Sequence, residues 1–167
     1  MSLLDTCQML MRFKRWSNAI TYKTVAALPE SESLKIRQTR FGSMVNTLNH
    51  VYVVDDIFRA HLLGQTHSYT ARNTDTHPPV TVLWAKVQKM DDWYVAYTES
   101  LTDAALAEGV TFEFVGGGDG AMTRNEILQH IVNHGNYHRG FVGDMLYQAN
   151  VTPPATDLPV FLRDGKA

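Results

Sequence analysis

Apolar residues recur every three to four positions along four stretches of this chain, and polar segments marked by proline or glycine separate them. The first stretch runs from Leu3 to about Leu28, with Leu3, Cys7, Leu10, Met11, Val25 and Leu28 in phase and Pro29 ending it. Proline has no amide proton and restricts the residue before it, so a helix stops there. The second is "FGSMVNTLNHVYVVDDIFRAHLLG", with Ser43 placed to cap its first turn and Gly64 placed to end it. Residues 65–79 are polar, close on two prolines and predict a loop that carries His67 and His77. A third helical pattern spans Val80 to about Ala107, through Leu83, Trp84, Val87, Met90, Tyr94, Tyr97 and Leu101.

The segment "VTFEFV" then alternates as a strand does, and the glycines at 116, 117, 118 and 120 can turn the chain. These glycines have neither the spacing of a dinucleotide fingerprint nor the Gly-Lys-Ser/Thr ending of a phosphate loop, so they read as a turn. Thr123 and Glu126 form a capping-box pair that starts a fourth helix, which runs to about Ala149 before "VTPP" stops it. A short tail, "ATDLPVFLRDGKA", follows. The pattern predicts an all-α fold, an antiparallel four-helix bundle with a short β excursion before the last helix, as one domain over residues 1–167.

Composition narrows the function more than the fold. A chain of 167 residues with 44% hydrophobic content fills a core without a metal or disulfide to staple it. Its 15 basic and 17 acidic residues, net charge −2, leave no electrostatic footprint for nucleic acid or an anionic membrane. Cys7 is the only cysteine, and neither a signal-like leader nor a bilayer-length apolar run is present, so a cytoplasmic protein is expected. The "NVT" sequon at Asn150 would matter only in a secreted protein.

The chemistry lies in "ILQHIVNHGNYHRG", where His130, His134 and His138 recur every four residues on the last helix. Two imidazoles at i and i+4 can share an ion, but His130 and His138 stand about 12 Å apart along the axis, too far for all three. The apolar side of the helix, marked by residues such as Ile127, Ile131, Val142 and Met145, lies within about 30° of His138, about 70° from His134 and about 110° from His130. The inward pair is therefore His134 and His138, with His130 on the rim in a supporting or interface position. An open metal site wants a third protein ligand from another helix. His50 on the second helix is the best candidate, and His61 shares its face; about 16 Å of helix separates the two, so they cannot serve one ion together. Against the metal reading stands an ordinary one, in which each histidine is a hydrogen-bonded core residue. No glutamate follows the first histidine of a pair, which argues against a zinc-protease mechanism.

"FGSMVNTLNHVYVVDDIFRAHLLG" and "HIVNHGNYHRGFVGDMLYQANVTPPATDLPVFLR", with "FKRWSNAI" on the first helix, resemble the DinB-like family of damage-inducible metalloenzymes over nearly the whole chain. The resemblance implies a four-helix bundle, commonly a homodimer, with a divalent metal on His50, His134 and His138. It also places Asn49, Asp55 and Arg139 in recurrent patterns. Asp55 then orients a ligand or, more in keeping with a carboxylate in an apolar helix, locks helices together; Arg139 binds an anionic substrate or makes a bundle salt bridge. Phe58 stands where many relatives have tryptophan. Imidazole suits nickel, zinc or iron alike. The superfamily implies a metal-dependent thiol transferase, isomerase or hydrolase, with a low-molecular-weight thiol or other small molecule as substrate. The alternative is a non-catalytic stress-response or binding protein with a structural or vestigial metal. Trp84, Trp93, Tyr94 and Tyr97 on the third helix suggest a helical dimer surface.

Overall fold

The computed structural model describes residues 2–165. Four long helices form the body: α1 (Leu3–Ala26), α3 (Met44–Leu62), α4 (Val80–Glu99) and α6 (Arg124–Gln148). Three short ones join or end them: α2 (Glu30–Ser33), α5 (Asp103–Leu106) and α7 (Leu158–Asp164). Strands β1 (Gly109–Glu113) and β2 (Asp119–Thr123) pair antiparallel immediately before α6, Gly109 opposite Thr123. The expected all-α bundle with a β excursion is therefore what the chain adopts.

The third helical pattern does not continue to Ala107. It ends at Glu99, and after a break at Ser100–Thr102 the four-residue α5 begins. Hydroxyls cause the interruption. The Ser100 side chain donates to the Tyr97 carbonyl at 2.7 Å, and Thr102 accepts the amide of Ala105 at 3.2 Å, so the backbone is capped twice where the periodicity runs straight through. Two further short helices lie outside the four periodic stretches. α2 follows Pro29, and α7 starts where Pro159 needs no helical partner for its nitrogen, burying Phe161 against Phe13 and Trp16 at ring distances of 5.7 and 5.6 Å.

Around the bundle the helices neighbour one another in the order α1, α4, α3, α6, so α1 and α3 sit on a diagonal. Pairs such as Gln8–Thr98 and Lys14–Asp91 make α1 antiparallel to α4, and Phe58–His130 and His50–His138 make α3 antiparallel to α6. Cys7–Asn125 and Asn18–Arg139 run in the same sense, so α1 and α6 are parallel, as are α3 and α4. The long connection between Leu62 and Val80 exists to carry the chain back for that parallel pair.

Two apolar clusters fill the interior. One, around Met11, Phe58, Tyr94 and Ile131, lies toward the hairpin; the other, around Tyr22, Leu48, Leu83 and Met145, lies toward the opposite end. Between them sits a polar layer. The Lys14 ammonium, 0% exposed, lies 2.7 Å from Asp55 and 2.7 Å from Asp91. Asn18 donates to both oxygens of Asp91, at 3.1 and 2.9 Å, and accepts from the Arg139 guanidinium at 2.9 Å. All four long helices thus contribute to one network. Burial alone would lower the Lys14 pKa, but the charges of Asp55 and Asp91 together raise it; burial pushes Asp55 up to about 6, with Lys14 pulling it back. Gly135 makes room for the layer: a Cβ there would stand 3.2 Å from an Arg139 guanidinium nitrogen and 3.9 Å from Cε of Lys14.

Removing one partner of a buried ion pair leaves the others charged and dry. Lys14→Met, which keeps length and removes charge, should therefore lower unfolding stability by about 3–5 kcal/mol in urea titrations. A loss under about 1 kcal/mol would show that Asp55 and Asp91 do not depend on this cation.

Candidate metal centre

Two caps set the helices that carry the site. The Ser43 hydroxyl accepts the Asn46 amide at 3.1 Å and starts α3, which brings His50 round to the α6 side. At α6, Thr123 accepts the Glu126 amide at 3.2 Å while Glu126 accepts the Thr123 amide at 2.7 Å, the reciprocal box the sequence predicts. From that start His134 and His138 fall one turn apart, facing α3.

The three imidazoles meet. Nε2 of His50 lies 3.0 Å from Nε2 of His134, and the rings of His50, His134 and His138 are 4.5 to 4.9 Å apart, centroid to centroid. One nitrogen from each lies within 4.8 Å of the other two. His50 and His138 are buried and His134 is half-buried. They form part of the wall of a cavity of about 750 Å³ that also meets Phe41, Phe58 and Tyr137. Phe41 stacks on the His50 ring at 4.3 Å and presents its edge to His138 at 5.5 Å.

A loop orients His50. Its Nδ1 contacts the Arg72 carbonyl at 2.5 Å; as the donor there, Nδ1 leaves the Nε2 lone pair facing His134. The loop is pinned by asparagines: Asn49 donates to Asn73 Oδ1 at 2.6 Å and to Thr74 Oγ1 at 2.7 Å, and Asn73 donates to the Asn46 carbonyl at 3.1 Å. Asn46 in turn donates to the Phe41 carbonyl at 2.8 Å, which ties the stacking ring to the same clamp.

The other residues singled out in the sequence go elsewhere. His130 packs its ring on Phe58 at 4.7 Å and lies 5.4 Å from the His134 ring, on the cavity wall but outside the three-histidine group. His61 stacks on Phe112 at 4.5 Å and neighbours His67 at 5.3 Å near the hairpin, so of the two histidines sharing the α3 face only His50 reaches the pair on α6. Asp55 belongs to the polar layer, with Lys14 as partner. Arg139 is there too: it donates to Asn18 and Asn136 and makes no ion pair among the described residues, in place of the salt bridge expected. Of the aromatics read as a dimer surface, Tyr94 is buried with its hydroxyl on the Asp55 carbonyl at 2.7 Å, Trp84 stacks on Tyr22 at 4.9 Å, and Trp93 stacks on Tyr97 at 4.9 Å. All four make packing contacts within the chain. Sequence reasoning missed Phe41, the Arg72 carbonyl and the asparagine partners of Asn49; Asn49 itself stood out through the family resemblance, and the polar run "ARNTD" hinted at the rest.

The donor set fits a divalent ion. Tetrahedral bonds of about 2.0–2.1 Å place ligand nitrogens about 3.3 Å apart, close to the 3.0 Å between His50 and His134. Nδ1 of His134 and of His138 is buried without a hydrogen-bond partner, which leaves these rings with unsatisfied donor or acceptor capacity inside the protein. Burial pushes His134 down to about 2, helped by the charges His138 and His50 would carry, and pushes His138 down to about 4. Both rings are therefore neutral, the form that binds a metal, throughout the neutral range.

In the unfolded chain these imidazoles take up protons near pH 6.5, whereas in the folded chain they do so only near 4 and below. The unfolded state binds more of these protons between, so this contribution to stability is present above pH 6.5 and is lost as pH falls toward 4. Asp55, raised to about 6, works in the opposite sense over part of that window. The expected outcome is therefore a difference: the metal-free wild type should lose more of its urea midpoint between pH 7.5 and 5 than His134→Leu does. Equal losses would mean that His134 is not held neutral by the fold.

The DinB family model matches residues 1–165. "Protein DinB" of Bacillus subtilis (strain 168) is 26% identical over 158 residues, 92% of this chain and 91% of that protein. The crystal structure of a DinB-like protein from Bacillus cereus ATCC 10987 superposes with a TM-score of 0.64 at 18% identity, covering 83% of this chain and 89% of that one, and so shares the fold. A family match across almost the entire length, on a bundle of the same architecture with three converging histidines, has one reading: the chain belongs to the DinB family.

Proposed function

We propose that His50, His134 and His138 hold one divalent ion, nickel, zinc or iron, and that the chain is a metal-dependent enzyme of the thiol-transferase, isomerase or hydrolase type acting on a small molecule. The observation that carries the reading is the convergence of three imidazoles on the wall of a cavity of about 750 Å³. A structural site closes its coordination sphere with protein, whereas three protein ligands beside open space leave room for a substrate. That contrast favours an enzyme over a non-catalytic stress-response or binding protein with a structural metal. When bound, the ion would supply Lewis acidity, lowering the pKa of a thiol or of water at the site. The chain's own part is orientation: the Arg72 carbonyl aims His50, and Phe41 shields the His50 face from water.

Family resemblance supports a homodimer, and the absence of any helix long and apolar enough to cross a membrane among the described residues accords with a cytoplasmic location. Sedimentation should show a dimer at tens of micromolar; a monomer alone at that concentration counts against the assembly.

Isothermal titration with zinc tests the centre. His134→Ala and His138→Ala should each abolish stoichiometric binding, while His130→Ala should change affinity by less than about threefold, since its ring lies outside the group. The reverse pattern, metal lost in His130→Ala and kept in His138→Ala, would move the ligand pair by one turn and end this assignment. In the zinc-loaded protein the three ring nitrogens should stand about 2.0–2.2 Å from the ion. A screen of thiol transfer and hydrolysis by metal-loaded wild type then decides between the reaction types.

A further inference from the structure

The walls of the metal cavity carry charge of one sign. Arg40 and Arg72 line it, and no aspartate or glutamate does. Neither guanidinium makes an ion pair with a carboxylate among the described residues, although most other arginines of the chain do. Arg40 leans over the Phe41 ring, 5.9 Å from its centroid, so its cation is held at the aromatic face that also covers His50. Arg72 belongs to the loop segment that the asparagine clamp pins down, and its own carbonyl is engaged with His50. The remaining wall is mostly aromatic, with Val54, Ala71 and Asn73 between the rings. Phe114 and Tyr137 reach the cavity yet are 50% and 64% exposed, a large apolar surface left to water.

These features specify an occupant with two unlike ends. Planar guanidinium forks match the oxygens of carboxylate and phosphate groups, and a cation would be repelled by both arginines and by any metal on the histidines. An apolar or aromatic body is what would cover Phe114 and Tyr137. We infer that the cavity takes an organic oxyanion, a carboxylate or phosphate carried on an aromatic or otherwise apolar body, with Arg40 and Arg72 as the residues that select its charge. The inference rests on the proposed metal reading for the position of the reacting end, beside the imidazoles, while the recognition of charge belongs to this chain's arginines alone. Arg72 can be changed without losing the His50 contact, because that contact uses its backbone oxygen.

The test uses three aromatic thiols with one 4-mercaptophenyl body: 4-mercaptobenzoate, its planar neutral isostere 4-mercaptobenzamide, and the tetrahedral 4-mercaptophenylphosphonate. Each is titrated into wild type and into Arg40→Gln/Arg72→Gln, zinc-loaded and metal-free, with zinc content measured separately. Wild type should bind at least one anion about tenfold or more tightly than the amide, and the double variant should erase that preference with zinc content unchanged. The tighter of the two anions tells whether carboxylate or phosphate is the natural group. If zinc binds but the amide matches both anions, or if the variant keeps the preference, the inference is overturned while the metal site stands. If zinc does not bind and metal-free wild type still prefers the anion through its arginines, the metal reading fails and the inference survives. No preference in either form overturns it.

Discussion

A lysine ammonium sealed from water between two aspartates holds this bundle in register. Lys14 on α1 reaches Asp55 on α3 across the diagonal, where the two helices do not otherwise pack closely, and Asp91 on α4 at the same distance. Asn18 passes the connection on to Arg139 of α6. Apolar side chains tolerate sliding, because one methyl group replaces another at little cost, but a buried cation does not. Moving α3 by one turn, about 5.4 Å, would leave Asp55 buried without its cation and Lys14 with Asp91 as its remaining counter-charge. The layer therefore divides the two apolar clusters and fixes their alignment at once.

The three-histidine group inherits that alignment. His50 lies five residues before Asp55 on α3, and His138 is the neighbour of Arg139 on α6. Any slip that the ion network forbids would also carry His50 away from His134 and His138. Gly135 belongs to both features, standing beside His134 while leaving room for Arg139 and Lys14. A helix-interior glycine costs about 1 kcal/mol relative to alanine, and here the close approach of two charged side chains explains it. Rotation is controlled separately. The asparagine clamp holds the Arg72 carbonyl against Nδ1 of His50, so the ring's angle comes from a loop and its height from the helix.

Much of this was legible in the sequence wherever residue type and period coincide. Period gave the four long helices, the Thr123–Glu126 pair gave the start of α6, and the apolar arc of α6 turned His134 and His138 inward ahead of His130. Period could not separate His50 from His61, which share the α3 face; only the antiparallel pairing with α6 puts His50 opposite the pair and sends His61 to the hairpin. It also ran through Ser100 and Thr102, because a hydroxyl that caps a backbone leaves the apolar rhythm unchanged. Asp55 was expected to lock helices together, but its partners in the polar layer were hidden for a different reason: Lys14 and Asp91 are charged residues at inward positions, which a hydrophobic pattern reads as surface. The Arg72 carbonyl had no signature at all, since every residue has one.

Net charge misleads in a similar way when a site is read from it. The whole chain carries −2, and that figure fairly argues against a nucleic-acid backbone, which requires an extended basic face. A cavity responds to the charges within a few ångströms, because those farther off are screened by water and salt. Inside the bundle the four charges of the polar layer, Lys14, Arg139, Asp55 and Asp91, balance to zero and contribute little field outside it. At the cavity wall nothing balances Arg40 and Arg72, and the histidines beside them are held neutral by burial. An acidic protein thus presents a positive pocket, and the sign of its ligand follows from that pocket and not from the sum over the chain.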